Sequence, residues 1–101
     1  MPKFTIEHKS SQSAKEAFDK IKTFMTEDED LRRFDSKMQC QFNDDSMNGL
    51  VKGGQFKADI SVLGQGTGSK IQIVVDLPML LTPFKGKVQE TLQKKLSKYL
   101  A

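Results

Sequence analysis

The sequence predicts an α+β fold, a five-stranded antiparallel sheet (strand order 1-5-4-3-2) with two helices on one of its faces. Three observations predict it. Apolar residues recur with period two in several short stretches and at helical spacing in two longer ones. Four of the strand-like stretches follow one another with only turn residues between them, which implies an antiparallel meander. The remaining strand stands first, and the last strand is its natural partner.

The elements are read in order. In KFTIEHK, residues 3–9, Phe4, Ile6 and His8 face one way and Lys3, Thr5, Glu7 and Lys9 the other, as in a half-buried strand. Ser13 followed by Glu16 forms a capping box and opens a helix. At about 100° per residue, Ala14, Ala17, Phe18, Ile21, Phe24 and Met25 share an arc roughly 120° wide. The acidic run Glu27 to Asp30 reads as solvated surface, and LRRF as a short irregular or one-turn helical continuation.

Strands resume with KMQCQF, where Met38, Cys40 and Phe42 share a face. NDDS is turn chemistry, because Asn and Asp bond their own backbone and tolerate left-handed conformations. MNGLVKGG is a glycine-interrupted strand, and QFKADISVL a stronger one with Phe56, Ala58, Ile60 and Val62 inward. GQGTGS turns the chain into KIQIVVDL, with Ile71, Ile73, Val75 and Leu77 inward. Thr82 and Pro83 then read as the N-cap and first position of a second helix. Phe84, Val88, Leu92, Leu96, Tyr99 and Leu100 form its apolar stripe, and Lys87, Lys94 and Lys98 share the opposite side. Gly86, in the first turns, suggests close approach of another element, because glycine there costs roughly 1 kcal/mol relative to alanine.

Composition bounds the rest. The 101 residues fit a single domain, 1–101, with 37% hydrophobic and 29% charged residues. No apolar run approaches the roughly 20 residues of a membrane span, so none is expected. MPKFTIEHKS lacks the apolar core of a secretory signal, and one cysteine forms no intrachain disulfide, so a cytoplasmic location is expected. The net charge of +3 is spread among interspersed acids and bases, and the aromatics fall in inward phase, which argues against nucleic acid.

After the alternating last strand, Leu77, Leu80, Leu81, Pro83, Phe84, Lys85, Gly86, Lys87 and Val88 carry a resemblance. The segment LLTPFKGKV resembles the polyhydroxyalkanoic acid system family, short bacterial proteins encoded near polyester granule genes. Gly54 before a strand and the serine-rich helix start add to it. The element order looks like a minimal helix-grip fold, as in START-like lipid- and steroid-binding domains. The chain is shorter than those domains by several elements, which argues against a large ligand cavity.

Catalytic and metal chemistry find few parts. His8 is the single histidine and sits in phase with a strand face, and Cys40 lies between Met38 and Phe42 on an inward one. A metal site needs more His or Cys ligands, so no metal, cofactor or catalytic residue is expected. A Cys40–His8 pair across the sheet stays open at this level, without a third orienting group. The glycine-rich GQGTGS lies between two strands, whereas a phosphate loop leads into a helix.

The expectation is therefore a non-enzymatic protein that binds a polyester granule surface or a small hydrophobic molecule. Met79, Leu80, Leu81 and Phe84 are its candidate contact residues, because adjacent leucines beside Pro78 cannot both follow the strand's inward phase. The alternatives are an accessory enzyme acting on acyl or polyketide-like substrates, by analogy with the fold, and a homodimeric interaction module.

Overall fold

The computed structural model describes residues 3–29, 33, 37–54, 56–77 and 83–100. Its elements are β1 (Lys3–Ser10), α1 (Ala14–Glu27), β2 (Gln39–Asn43), β3 (Asn48–Lys52), β4 (Lys57–Gln65), β5 (Gly68–Asp76) and α2 (Lys85–Tyr99). The strands form one antiparallel sheet in the order β1-β5-β4-β3-β2, as the sequence predicts.

Register explains the core. Phe4 opposes Val75, Val75 opposes Ala58, Ala58 opposes Val51, and Val51 opposes Cys40. A second row runs Ile6, Ile73, Ile60, Gly49 and Phe42. Because side chains alternate across a strand, both rows lie on one face. Both helices cover that face. Phe18, Ile21 and Phe24 of α1 and Val88, Leu92 and Leu96 of α2 join the strand residues in one core.

Local chemistry sets the ends of the elements. Ser13 caps α1, its hydroxyl accepting from the Glu16 amide at 3.3 Å. The Asn43 side chain accepts from the amides of Asp45 (3.0 Å) and Ser46 (3.2 Å), which closes the β2–β3 turn. The β4–β5 turn is shorter than GQGTGS suggests. Gln65 pairs with Gly68, so only Gly66 and Thr67 lie outside the ladder. Gly66 takes φ +59°, a conformation that a residue with a Cβ rarely adopts.

Three local expectations are corrected. Helix α2 starts later than the Thr82–Pro83 signal implies: Pro83 and Phe84 carry 3-10 geometry, and Phe84 is the cap, with no side-chain hydrogen bond. Thr82 lies outside the described residues. Gly86 has no neighbour within 4 Å of a Cβ built upon it, so no close approach accounts for it. The acidic run is not all solvated surface. Glu27 and Glu29 are exposed, but Asp28 is buried at the C-terminus of α1, and Asp30 lies outside the described residues.

Candidate ligand cavity

A cavity of about 710 Å³ lies between the sheet and α2. Its floor is Val51, Ala58, Ile73 and Val75, three of them from the first inward row. The floor is low where that row carries alanine; Ile60 and Val62 fill the following inward positions of β4. Val88 and Leu92 of α2 form the roof. Met25 at the end of α1, Met38 and Phe56 close the sides. Thioether side chains suit such a wall, since they are flexible and polarizable. Although the chain is shorter than the domains it resembles, a cavity of ligand size is present.

The mouth is basic. Arg33, Lys87, Lys94 and Lys98 line it, together with Thr91 and Phe84. Lys87, Thr91, Lys94 and Lys98 follow one another by four, three and four residues, which places them within roughly 60° on the helix. These lysines stand on the exposed side of α2, about 120° round from Val88 and Leu92, and rim the cavity from there. Their angular offset from Val88 and Leu92 was available in the sequence; only the helix's position over the sheet was not. Lys94 pairs with Glu90 at 3.0 Å on the surface, and the Lys98 ammonium sits 5.3 Å from the Tyr99 ring centre.

Lys95, one position further round, is occupied differently. It reaches inward to Asp28 at 2.9 Å, and the Tyr99 hydroxyl donates to the same carboxylate oxygen at 3.2 Å. Tyr99 also stacks on Phe24 with ring centres 5.3 Å apart. These contacts join the end of α1 to the end of α2 beside the cavity, so its width depends on them.

Among the candidate contact residues, Phe84 stands at the mouth and is 50% exposed, so it does not open a buried stripe. Met79, Leu80 and Leu81 lie outside the described residues. Cys40 and His8 occupy the two opposite edge strands. Four strand spacings of about 4.8 Å place them roughly 19 Å apart, which excludes a catalytic pair. His8 Nε2 instead donates to the Leu100 carbonyl at 2.8 Å, and Cys40 Sγ points at the Met25 carbonyl at 3.7 Å. Among the described residues no three His, Cys, Asp or Glu side chains come together. No described helix is long and apolar enough to cross a membrane.

A family described as polyhydroxyalkanoic acid system protein (PHA_gran_rgn) matches residues 3–100. The chain belongs to this family. No curated protein matches the chain by sequence. Its architecture is shared more widely. A START superfamily protein from Mycobacterium smegmatis superposes with a TM-score of 0.61 at 11% identity, covering 97% of this chain and 96% of that one. TTHA0849 from Thermus thermophilus gives 0.59 at 10% identity, covering 97% and 88%. Ara h 8.0201 gives 0.56 at 13% identity, covering 97% and 96%. At these identities the likeness is one of fold, and the chain has a START-like, helix-grip architecture.

Proposed function

We propose that this family member binds a small hydrophobic molecule in the cavity between α2 and the sheet. The observation that carries the reading is a space of about 710 Å³ walled by aliphatic, aromatic and thioether side chains. Specific small-molecule sites span roughly 300–1,000 Å³ and combine such walls with a few polar groups. A filled core would have left no room for a ligand. The reading is tested by titrating the purified protein with dodecanoate in a calorimeter, alongside an Ala58→Phe variant whose ring occupies the cavity floor. Saturable binding by the parent and its loss in a variant with an unchanged circular dichroism spectrum is the expected result. If Ala58→Phe does not fold, Thr91→Trp at the mouth takes its place. A parent protein that takes up no apolar compound overturns the reading.

Association with a polyester granule is the second reading, favoured by the half-exposed Phe84 between the cavity and solvent. It assigns Met79, Leu80 and Leu81 to the same contact as Phe84. Co-sedimentation with isolated granules decides it: Phe84→Ser should reduce the bound fraction, and an unchanged fraction rejects Phe84 as a contact.

A further inference from the structure

We infer that the molecule bound in this cavity is an anionic amphiphile, its tail under α2 and its carboxylate or phosphate head held by the lysines at the mouth. The inference rests on the cavity reading and adds the chemical class of the head. An apolar wall alone would accept an alcohol, an ester or a hydrocarbon equally well. The mouth distinguishes them. Among the described residues, the charged side chains that line it are Arg33, Lys87, Lys94, Lys95 and Lys98, all cations and none a carboxylate.

Two of these cations are paired with described acids. Asp28 is buried against Lys95 and Tyr99, and Glu90 pairs with Lys94. Neither neutralises Lys87 or Lys98. The Lys94–Glu90 pair is surface-exposed, and pairs of that kind contribute little, so Lys94 turns to a bound anion at small cost. Lys94 and Lys98 are one helical turn apart, about 6 Å along the axis, so two ammonium groups reach one head from the same side. Thr91 lies on the same stripe and supplies a hydroxyl.

The arrangement also gives orientation. Charge-assisted hydrogen bonds are about twice as strong as neutral ones. They act best at the edge of a low-dielectric space, where water screens less. A head drawn to the lysine stripe leaves the tail to follow Val88 and Leu92 toward the floor at Ala58.

Calorimetric titration of the full chain with four compounds of equal chain length tests this: dodecanoate, dodecyl phosphate, dodecanol and dodecyltrimethylammonium. Dodecanoate or dodecyl phosphate should bind roughly tenfold or more tightly than dodecanol, the size of one charge-assisted contact, and the cation more weakly than the alcohol. The tighter of the two anions identifies the head. The preference should shrink as salt is raised, and collapse in the triple variant Lys87→Gln/Lys94→Gln/Lys98→Gln. The control Lys9→Gln/Lys20→Gln, with exposed lysines away from the cavity, should keep it. Equal affinity for anion and alcohol, or a preference that survives the triple variant, overturns this inference and leaves the cavity reading standing. Failure of all four compounds to bind overturns both.

Discussion

Lys95 and Asp28 form an ion pair at 2.9 Å with side chains only 13% and 5% exposed. It is the most enclosed of the ion pairs between described residues, and it joins the last turn of α1 to the last turns of α2. Breaking a buried pair by removing one partner is strongly destabilising, by about 3–5 kcal/mol. Asp28→Ala and Lys95→Ala should therefore each lower stability by about 3 kcal/mol in urea titrations, with Asp28→Ala also removing the acceptor of the Tyr99 hydroxyl. Replacing both with apolar residues, Asp28→Leu with Lys95→Met, should recover most of the loss. Additive losses in the double variant would show that the pair does not act as a unit.

Gly49 illustrates a second kind of dependence. A Cβ at this position would stand 2.5 Å and 2.7 Å from two Phe42 ring carbons, and 3.3 Å from the Gln41 carbonyl oxygen. The Phe42 ring is itself packed edge-on against Phe18 at 5.9 Å. Gly49→Ala should consequently destabilise by about 1–3 kcal/mol, the usual range for overpacking. In a Phe42→Leu background the same substitution should cost markedly less. An equal cost in both backgrounds, measured by thermal unfolding, would mean the ring is not the obstacle.

Gly86 should behave in the opposite way. It lies in the first turn of α2 with open space around it, so Gly86→Ala gains helix propensity without a clash, up to about 1 kcal/mol. The melting temperature should rise. A fall would point to a contact made by the backbone at that turn.

Lys22 and Asp44 give a pH signature on the surface. The Lys22 ammonium donates to Asp44 Oδ1 at 2.5 Å; this hydrogen bond holds the Asp44 carboxyl below its ordinary range and raises the Lys22 ammonium above its own. For Asp44 the associated stabilisation is complete above the ordinary carboxylate pKa and is lost as pH falls through the lowered one. For Lys22 it is complete below the ordinary lysine pKa and lost as pH rises through the raised one. Both groups face solvent, so salt should weaken the effect. In an NMR titration Lys22→Gln should move the Asp44 midpoint upward. An unmoved midpoint would show that no such bond persists in solution.

The fold was legible in the sequence because its patterns are local. Strict alternation in residues 3–9 and 57–63, the Ser13–Glu16 box and the stripe through Phe18, Ile21 and Met25 each need only neighbours along the chain. What escaped depends on tertiary placement. The burial of Asp28 follows from the approach of Lys95 and Tyr99, 67 and 71 residues later in the chain. The cavity follows from Ala58 lying beneath Val88 and Leu92 rather than beneath a larger residue. The lysine spacing on α2 is regular in the sequence, about 120° round the helix from Val88 and Leu92, but its place at the cavity mouth is set by how α2 sits over the sheet. The start of α2 differs from the sequence signal because a proline after a threonine fits several turns as well as a first helical position.

The pairing of β1 with β5 has a kinetic consequence. Phe4 meets Val75 and Ile6 meets Ile73, roughly 70 residues apart along the chain, whereas β2 to β5 are joined by consecutive hairpins. Closing so long a loop costs entropy before any contact repays it, and non-local pairings slow folding. The hairpins should therefore organise the rate-limiting ensemble, and the first strand should dock after the barrier. Ile60→Val should slow refolding, while Ile6→Val should chiefly accelerate unfolding, a distinction that the two arms of a chevron plot separate. Equal effects of both substitutions on the refolding arm would place the first strand in the nucleus.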